Sequence, residues 1–184
     1  MINILLIFLF ILQIFLIIIA LIVISFFYYF LKGNAPFLPT SRKNLKQFQE
    51  IFDFLEKLNL KNESVIDLGS GSGEVVLEFA RKGYKSYGVE INPFLVFLSK
   101  IRAIKNNNAY FIKGDLYKIN LNNFKIIYIY QLEEVNKKLI PKFENELQKG
   151  AIIISNKFPL EESQKIKLIH EFDKKNFLIY KIIS

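Results

Sequence analysis

Cysteine is absent from the 184 residues, and histidine occurs once, as His170. Without cysteine there can be no disulfide, thiolate nucleophile, cysteine-ligated zinc or iron–sulfur cluster. A single imidazole leaves no basis for a histidine-built metal site, so no metal is expected. Charge is missing too, but only locally. No Asp, Glu, Lys or Arg occurs from Met1 to Leu31, so the formal +8 lies between Lys32 and Ser184. No internal repeat or low-complexity linker is present, and the length allows one ordinary domain. What remains for chemistry is carboxylates, hydroxyls, amides, backbone groups and a bound cofactor. A basic domain attracts anionic partners. Beside a membrane segment, anionic lipid headgroups come first among them.

The uncharged start is a run of 28 residues, Ile4 to Leu31, broken only by Gln13, Ala20 and Ser25. At about 1.5 Å per residue such a helix exceeds the roughly 30 Å hydrocarbon core. Tyr28 and Tyr29 fall where an interfacial aromatic belt is expected. A cleaved signal peptide would need a basic start and a shorter apolar stretch. A buried core helix fits poorly, because so uniform a run has no solvent face. Residues 1–32 are therefore expected to form one transmembrane anchor. Lys32, Arg42, Lys43 and Lys46 follow it and nothing basic precedes it, which places the rest of the chain in the cytoplasm.

Residues 33–63 read as a short extended linker, marked by Gly33, Pro36 and Pro39, and then an amphipathic helix over 42–58 that Thr40 or Ser41 can cap. From Ser64 on, strands and helices alternate. Strands are expected at 65–68, 84–90, 109–113, 124–130 and 151–155, with helices at 74–82 and from Asn92-Pro93 to about Lys105. Helical residues follow the fourth strand, with Pro141 opening a fresh helix to Gln148. Two apolar runs, 166–172 and 177–183, close the chain as an antiparallel hairpin. The alternation implies a parallel sheet covered on both faces. The expected fold class is α/β: a Rossmann-like, seven-stranded class I methyltransferase domain over 64–184, behind one N-terminal transmembrane helix.

The chemistry centres on Asp67-Leu68-Gly69-Ser70-Gly71-Ser72-Gly73. Glycines let the backbone come close to a ligand, and the next helix presents its N-terminus there. The spacing is Gly-x-Gly-x-Gly rather than Gly-x-Gly-x-x-Gly, and an acid precedes it. A carboxylate at Asp67 would repel a pyrophosphate but suits the cationic amino end of S-adenosylmethionine. Glu90 ends the second strand, where a carboxylate accepts ribose hydroxyls, and Asp115 follows the third, within reach of an adenine amino group. Ligands of open α/β sheets bind along that edge. The expected cofactor-binding set is Pro39, Thr40, Asp67, Gly69, Ser70, Gly71, Gly73, Glu90, Ile91, Asn92, Asp115, Leu116 and Gln131.

Several stretches resemble the small protein lysine methyltransferases that modify the ATP synthase c-subunit and the adenine nucleotide translocase. They are Pro36-Phe37-Leu38-Pro39-Thr40, Val65 to Gly73, Gly88-Val89-Glu90-Ile91-Asn92-Pro93-Phe94-Leu95, Gly114 to Lys118, and Lys157-Phe158-Pro159. The glycine stretch is generic to methyltransferases; the Pro-Thr, Glu-x-Asn-Pro and Phe-Pro elements are more specific. The resemblance implies an S-adenosyl-L-methionine cofactor and that residues 33–63 help close its pocket. It also implies a protein substrate presenting a lysine, such as the ATP synthase c-subunit. Gln131-Leu132-Glu133-Glu134 departs from the family's usual stretch, in the region that receives substrate.

An Asp/Asn-Pro-Pro-aromatic motif, used to methylate bases, is missing after the fourth strand, so no nucleic-acid partner is expected. Glu133-Glu134 reads as the acidic start of a helix, and His170 as structural. A lysine must lose its proton before it attacks a methyl group, and an apolar channel beside a sulfonium favours that loss. Thr40, Tyr130 and Phe158 are the candidates to line the channel, with no residue assured as general base. Two alternatives stay open at this point: methylation of a lipid or quinone headgroup, and a non-catalytic, cofactor-binding membrane factor.

Overall fold

The computed structural model describes residues 4–31, 42–172 and 176–184. Pro39, Thr40, the linker and the cap of the next helix lie outside the described residues. The chain divides into two compact units, Met1–Pro36 and Phe37–Ser184.

The first unit contains α1, Ile4–Leu31, a single helix of 28 residues. Its stretch Ile4–Ser25 is long and apolar enough to cross a membrane, and none of it is buried.

The second unit begins with α2 (Arg42–Lys57), followed by β1 (Ser64–Leu68), α3 (Glu74–Arg81), β2 (Lys85–Glu90), α4 (Pro93–Arg102), β3 (Ala109–Lys113), β4 (Ile126–Ile129), α5 (Glu133–Glu146), β5 (Ile152–Asn156), β6 (Ile166–Phe172) and β7 (Phe177–Ile182). The seven strands form one sheet in the order β3-β2-β1-β4-β5-β7-β6. β1 to β5 pair in parallel, whereas β7 runs antiparallel to both β5 and β6. This is the seven-stranded α/β architecture expected from the alternation, terminal hairpin included.

Alternation along the strands builds two cores. Val65, Ile126, Tyr128, Ile152 and Ile154 meet Phe48, Ile51, Phe52 and Leu55 of α2 and Phe79 of α3. Ile66, Leu68, Ile127, Ile129 and Ile153 meet Leu139 and Phe143 of α5 on the other face. Val96 of α4 packs with Val76, Leu77 and Phe111 in a third cluster. His170 stacks on Phe54 with ring centroids 4.9 Å apart, which bears out its structural reading.

One element differs from expectation. Pro141 does not start a new helix but sits inside α5. Its ring is exposed, and Lys137, whose carbonyl loses its helical partner, is exposed as well. Water can therefore satisfy that carbonyl, while buried Leu139 and Phe143 hold the helix to the sheet on either side of the break.

Candidate functional site

Four parallel strand ends converge where the candidate residues lie. Asp67 is the next-to-last residue of β1 and pairs in register with Gly88 of β2 and Tyr128 of β4, so the loops after these strands are neighbours. Gly69, Gly71 and Gly73 of the first loop have φ of 86°, 54° and 80°. These are left-handed backbone angles that residues with a Cβ rarely adopt. Gly73 is also the N-cap of α3, so the loop feeds directly into a helix N-terminus.

Glu90 ties this loop to the end of β2. Its Oε2 accepts the Gly71 N–H at 3.0 Å, and Oε1 accepts the Asn92 N–H at 2.8 Å. A carboxylate offers about four acceptor positions. These bonds leave part of that acceptor capacity for a ligand's hydroxyls. Burial raises the Glu90 carboxyl above its ordinary range, opposed by backbone N–H bonds from Asn92, Gly71 and Ile91. Asp67 is 4% exposed. Burial raises its carboxyl well above the ordinary range, and the nearby Glu90 charge pushes it further up. Among the described residues no donor reaches the Asp67 carboxylate. Two acids pressed together without a cation form a site for a ligand that carries positive charge and hydroxyls. S-adenosylmethionine has both, and the residues present fit it.

The remaining candidates are placed as follows. Asn92 caps α4, its Oδ1 accepting the Phe94 N–H at 2.9 Å. Gly114 N–H donates to the Glu90 carbonyl at 3.0 Å, which brings Asp115 and Leu116 to the same edge. Asp115 Oδ1 accepts the Tyr117 N–H at 2.9 Å, fixing a tight turn. Gln131 is buried under the glycine loop, where its Nε2 donates to the Leu68 carbonyl at 2.8 Å. A Cβ at Gly69 would displace that amide, and the left-handed φ of 86° favours glycine there in any case. Ser70 Oγ is buried without a hydrogen-bond partner. Tyr130 and Phe158, both half-buried, stack with centroids 6.0 Å apart. Lys157, in a left-handed conformation with φ 65°, holds its Nζ 5.5 Å from the Tyr130 ring centroid.

Several supporting residues escape a motif-based reading. Gly88 has ordinary φ, but a Cβ there would meet Ser70 Oγ at 2.6 Å and Val76 Cγ2 at 2.9 Å. The Ser99 hydroxyl lies between the Leu95 carbonyl at 2.8 Å and the Gly71 carbonyl at 3.1 Å and has one proton to share between them, and Arg102 Nη1 donates to the Ser72 carbonyl at 2.9 Å. Thus α4 grips the glycine loop. Asn136 of α5, almost fully buried, donates through Nδ2 to the Phe158 and Pro159 carbonyls at 3.1 and 3.3 Å. Ser99 and Asn136 share one signal, a polar residue on the apolar face of its helix. That pattern calls for a buried hydrogen bond.

The chain is similar to several known methyltransferases. Residues 67–167 match the model of the ANTKMT methyltransferase domain. The chain is 33% identical over 140 residues to the ATP synthase c-subunit lysine N-methyltransferase of Caenorhabditis elegans, covering 74% of this chain and 73% of that protein. The Homo sapiens protein of the same name is 31% identical over 127 residues, covering 67% of this chain and 52% of that protein. This chain thus spans about half the length of the human relative. An RNA methyltransferase from Salinibacter ruber, in complex with S-adenosyl-L-homocysteine, superposes with a TM-score of 0.68 at 25% identity, covering 80% of this chain and 95% of that one.

Proposed function

The chain belongs to the ANTKMT methyltransferase family, and on that footing we propose that it transfers a methyl group from S-adenosylmethionine to a lysine side chain of a membrane protein. The observation that carries the reading is the juxtaposition at one sheet edge. The buried acids Asp67 and Glu90 lie beside a left-handed glycine loop, with the Tyr130–Phe158 stack on the neighbouring loops.

When bound, the cofactor supplies a methyl group activated by a sulfonium. Asp67 pairs with its amino group, which relieves the strain of a buried carboxylate pressed by Glu90. Glu90 accepts the ribose hydroxyls while its N–H bonds from Gly71 and Asn92 hold it still. Asp115 and Leu116 bound the adenine side. Gly69, Ser70, Gly71 and Gly73 form the floor, with Ile91, Asn92 and Gln131 around them. Tyr130 and Phe158 would flank the acceptor, and their apolar lining would favour entry of a lysine as the neutral amine. Its proton passes to solvent. Pro39 and Thr40, which lie outside the described residues, are proposed from the sequence alone to help close the pocket. The rest of the reading is topological: α1 crosses the membrane once, with the catalytic unit on the cytoplasmic side.

The test uses membranes of the native host with methyl-labelled cofactor. Label is expected in protein and, after hydrolysis, in methyl-lysine. Label confined to extracted lipid or quinone would reject the lysine reading.

A further inference from the structure

The outer face of α4 is apolar where a water-facing helix should be polar. Phe97 is 61% exposed, Ile101 51%, and Ile104 in the following turn 81%. At about 100° per residue, positions 97 and 101 fall about 40° apart on one face of α4, with half-buried Phe94 about 60° away, and Ile104 follows in the turn after the helix ends at Arg102. Lys100 and Lys105 project on either flank of the stripe, and both are exposed. The opposite face, Leu95, Val96 and Ser99, is buried against the fold, so the stripe cannot turn inward. Single exposed apolar residues are ordinary, but a continuous stripe marks an interaction surface.

Charge identifies the partner. From Ile91 to Gly114 the sequence holds Lys100, Arg102, Lys105 and Lys113 and no acid. Arg102 is engaged with Glu74 and the Ser72 carbonyl, whereas the described residues form no salt bridge to the other three. The stripe lies on the outer surface of α4, and Lys100, on its flank, also borders a cavity lined by Ala103, Tyr87, Tyr110 and Ile112. An exposed apolar stripe edged by lysines suits a fluid, anionic surface, into which an amphipathic helix sinks to the depth of the headgroups. We propose that the Phe97–Ile101–Ile104 face of α4, with Lys100 and Lys105, docks the catalytic unit on anionic lipid.

The consequence for the reaction follows from chain order. α4 begins at Pro93, directly after Asn92, whose N–H binds Glu90 in the cofactor site. A docked α4 therefore brings the rim of the pocket to the headgroup layer. This favours acceptor lysines in short loops of embedded proteins. This consequence for acceptor choice rests on the proposed function, whereas the docking surface itself does not depend on α1, and the experiment separates the two.

Because the chain lacks cysteine, Ile104→Cys and Lys138→Cys each give full-length protein a single labelling site. Lys138 is exposed on α5, across the sheet from α4. Each variant carries a fluorophore and is reconstituted in vesicles of phosphatidylcholine with or without phosphatidylserine, doped with headgroup-nitroxide lipid. In the serine-containing vesicles, the label at 104 should be quenched about threefold more than at 138, since only the former reaches headgroup depth. Omitting phosphatidylserine, adding about 1 M salt, or introducing Lys100→Gln with Lys105→Gln should remove about half of that excess. Equal quenching at the two sites overturns the inference. So does an excess indifferent to lipid charge, or one seen only at high protein-to-lipid ratio, the mark of self-association through α4. Carbonate extraction reads α1 separately: protein that washes away after showing the excess rejects the anchor and leaves the α4 surface standing.

Discussion

Asp67, proposed to pair with the cofactor, is a buried carboxyl that costs the cofactor-free fold stability. Its carboxyl, like that of Glu90, holds a proton more tightly in the folded chain than in the unfolded one. As pH falls from neutral, the native state therefore takes up protons first, and its stability relative to the unfolded chain rises. The gain begins as pH drops through the raised folded values and is complete below the unfolded range of about 3.9–4.3. This is the reverse of a salt-bridged acid. Asp67→Asn should accordingly raise the melting temperature of the cofactor-free protein at pH 7, by about 2–4 °C for each kcal/mol released. It should weaken S-adenosylmethionine binding at the same pH by about tenfold or more, the loss of a buried charge pair. In the parent protein, affinity should decline as acid protonates the pair, and Asp67→Asn should flatten that decline. Calorimetric titration and melting curves from pH 5 to pH 8 measure both. A variant that melts lower and binds equally well would remove Asp67 from the cofactor site. These residues were legible in the sequence because acids at strand ends and glycines in a turn are local signals. Gly88, with its ordinary φ, was not legible in this way: only the packing of Ser70 and Val76 against it shows why a Cβ is excluded.

At the scale of elements, local chemistry decides where helices begin and tertiary packing decides where they end. The Asn92-Pro93 start of α4 and the bounds of β3 follow from capping and apolar pattern, and both appear as expected. Pro141 misleads because its local signal is real, yet the two buried anchors Leu139 and Phe143 outweigh one missing hydrogen bond. The grip of α4 on the glycine loop was likewise invisible from spacing, since Ser99 lies 28 positions from Gly71. It still has a measurable role. Ser99 is fully buried, so Ser99→Ala removes the one donor shared by the Leu95 and Gly71 carbonyls, at a cost of about 1–3 kcal/mol. If the loop is shaped by this bond, part of the cost should appear as a loss of cofactor affinity of about fivefold, near 1 kcal/mol. A stability loss with affinity unchanged would make Ser99 a packing residue only.

The whole molecule combines an uncharged helix with a remainder, from Lys32 onward, that carries all of the formal +8. That partition has a kinetic consequence if α1 anchors the chain. Confinement to a membrane replaces bulk concentration by an effective one near the bilayer, and linking of this kind raises apparent affinity by about 10²–10⁴ without any new contact. Only acceptors in the same membrane gain from it. A soluble lysine peptide meets the catalytic unit by ordinary diffusion whether or not α1 is present. Full-length protein and a chain beginning at Gly33 should therefore methylate the soluble peptide with the same kcat and KM. On an embedded acceptor in the same liposomes, the full-length protein should be at least about tenfold faster at limiting enzyme. Salt sharpens the distinction, because screening beyond the roughly 8 Å Debye length at physiological strength weakens adsorption of the basic unit but not insertion of an apolar helix. In about 1 M salt the truncated chain should lose its residual activity on the embedded acceptor, while the full-length chain keeps most of its own. If the truncated chain keeps the full preference for the embedded acceptor at high salt, selectivity resides in the catalytic unit, and α1 serves only to deliver the chain to its membrane.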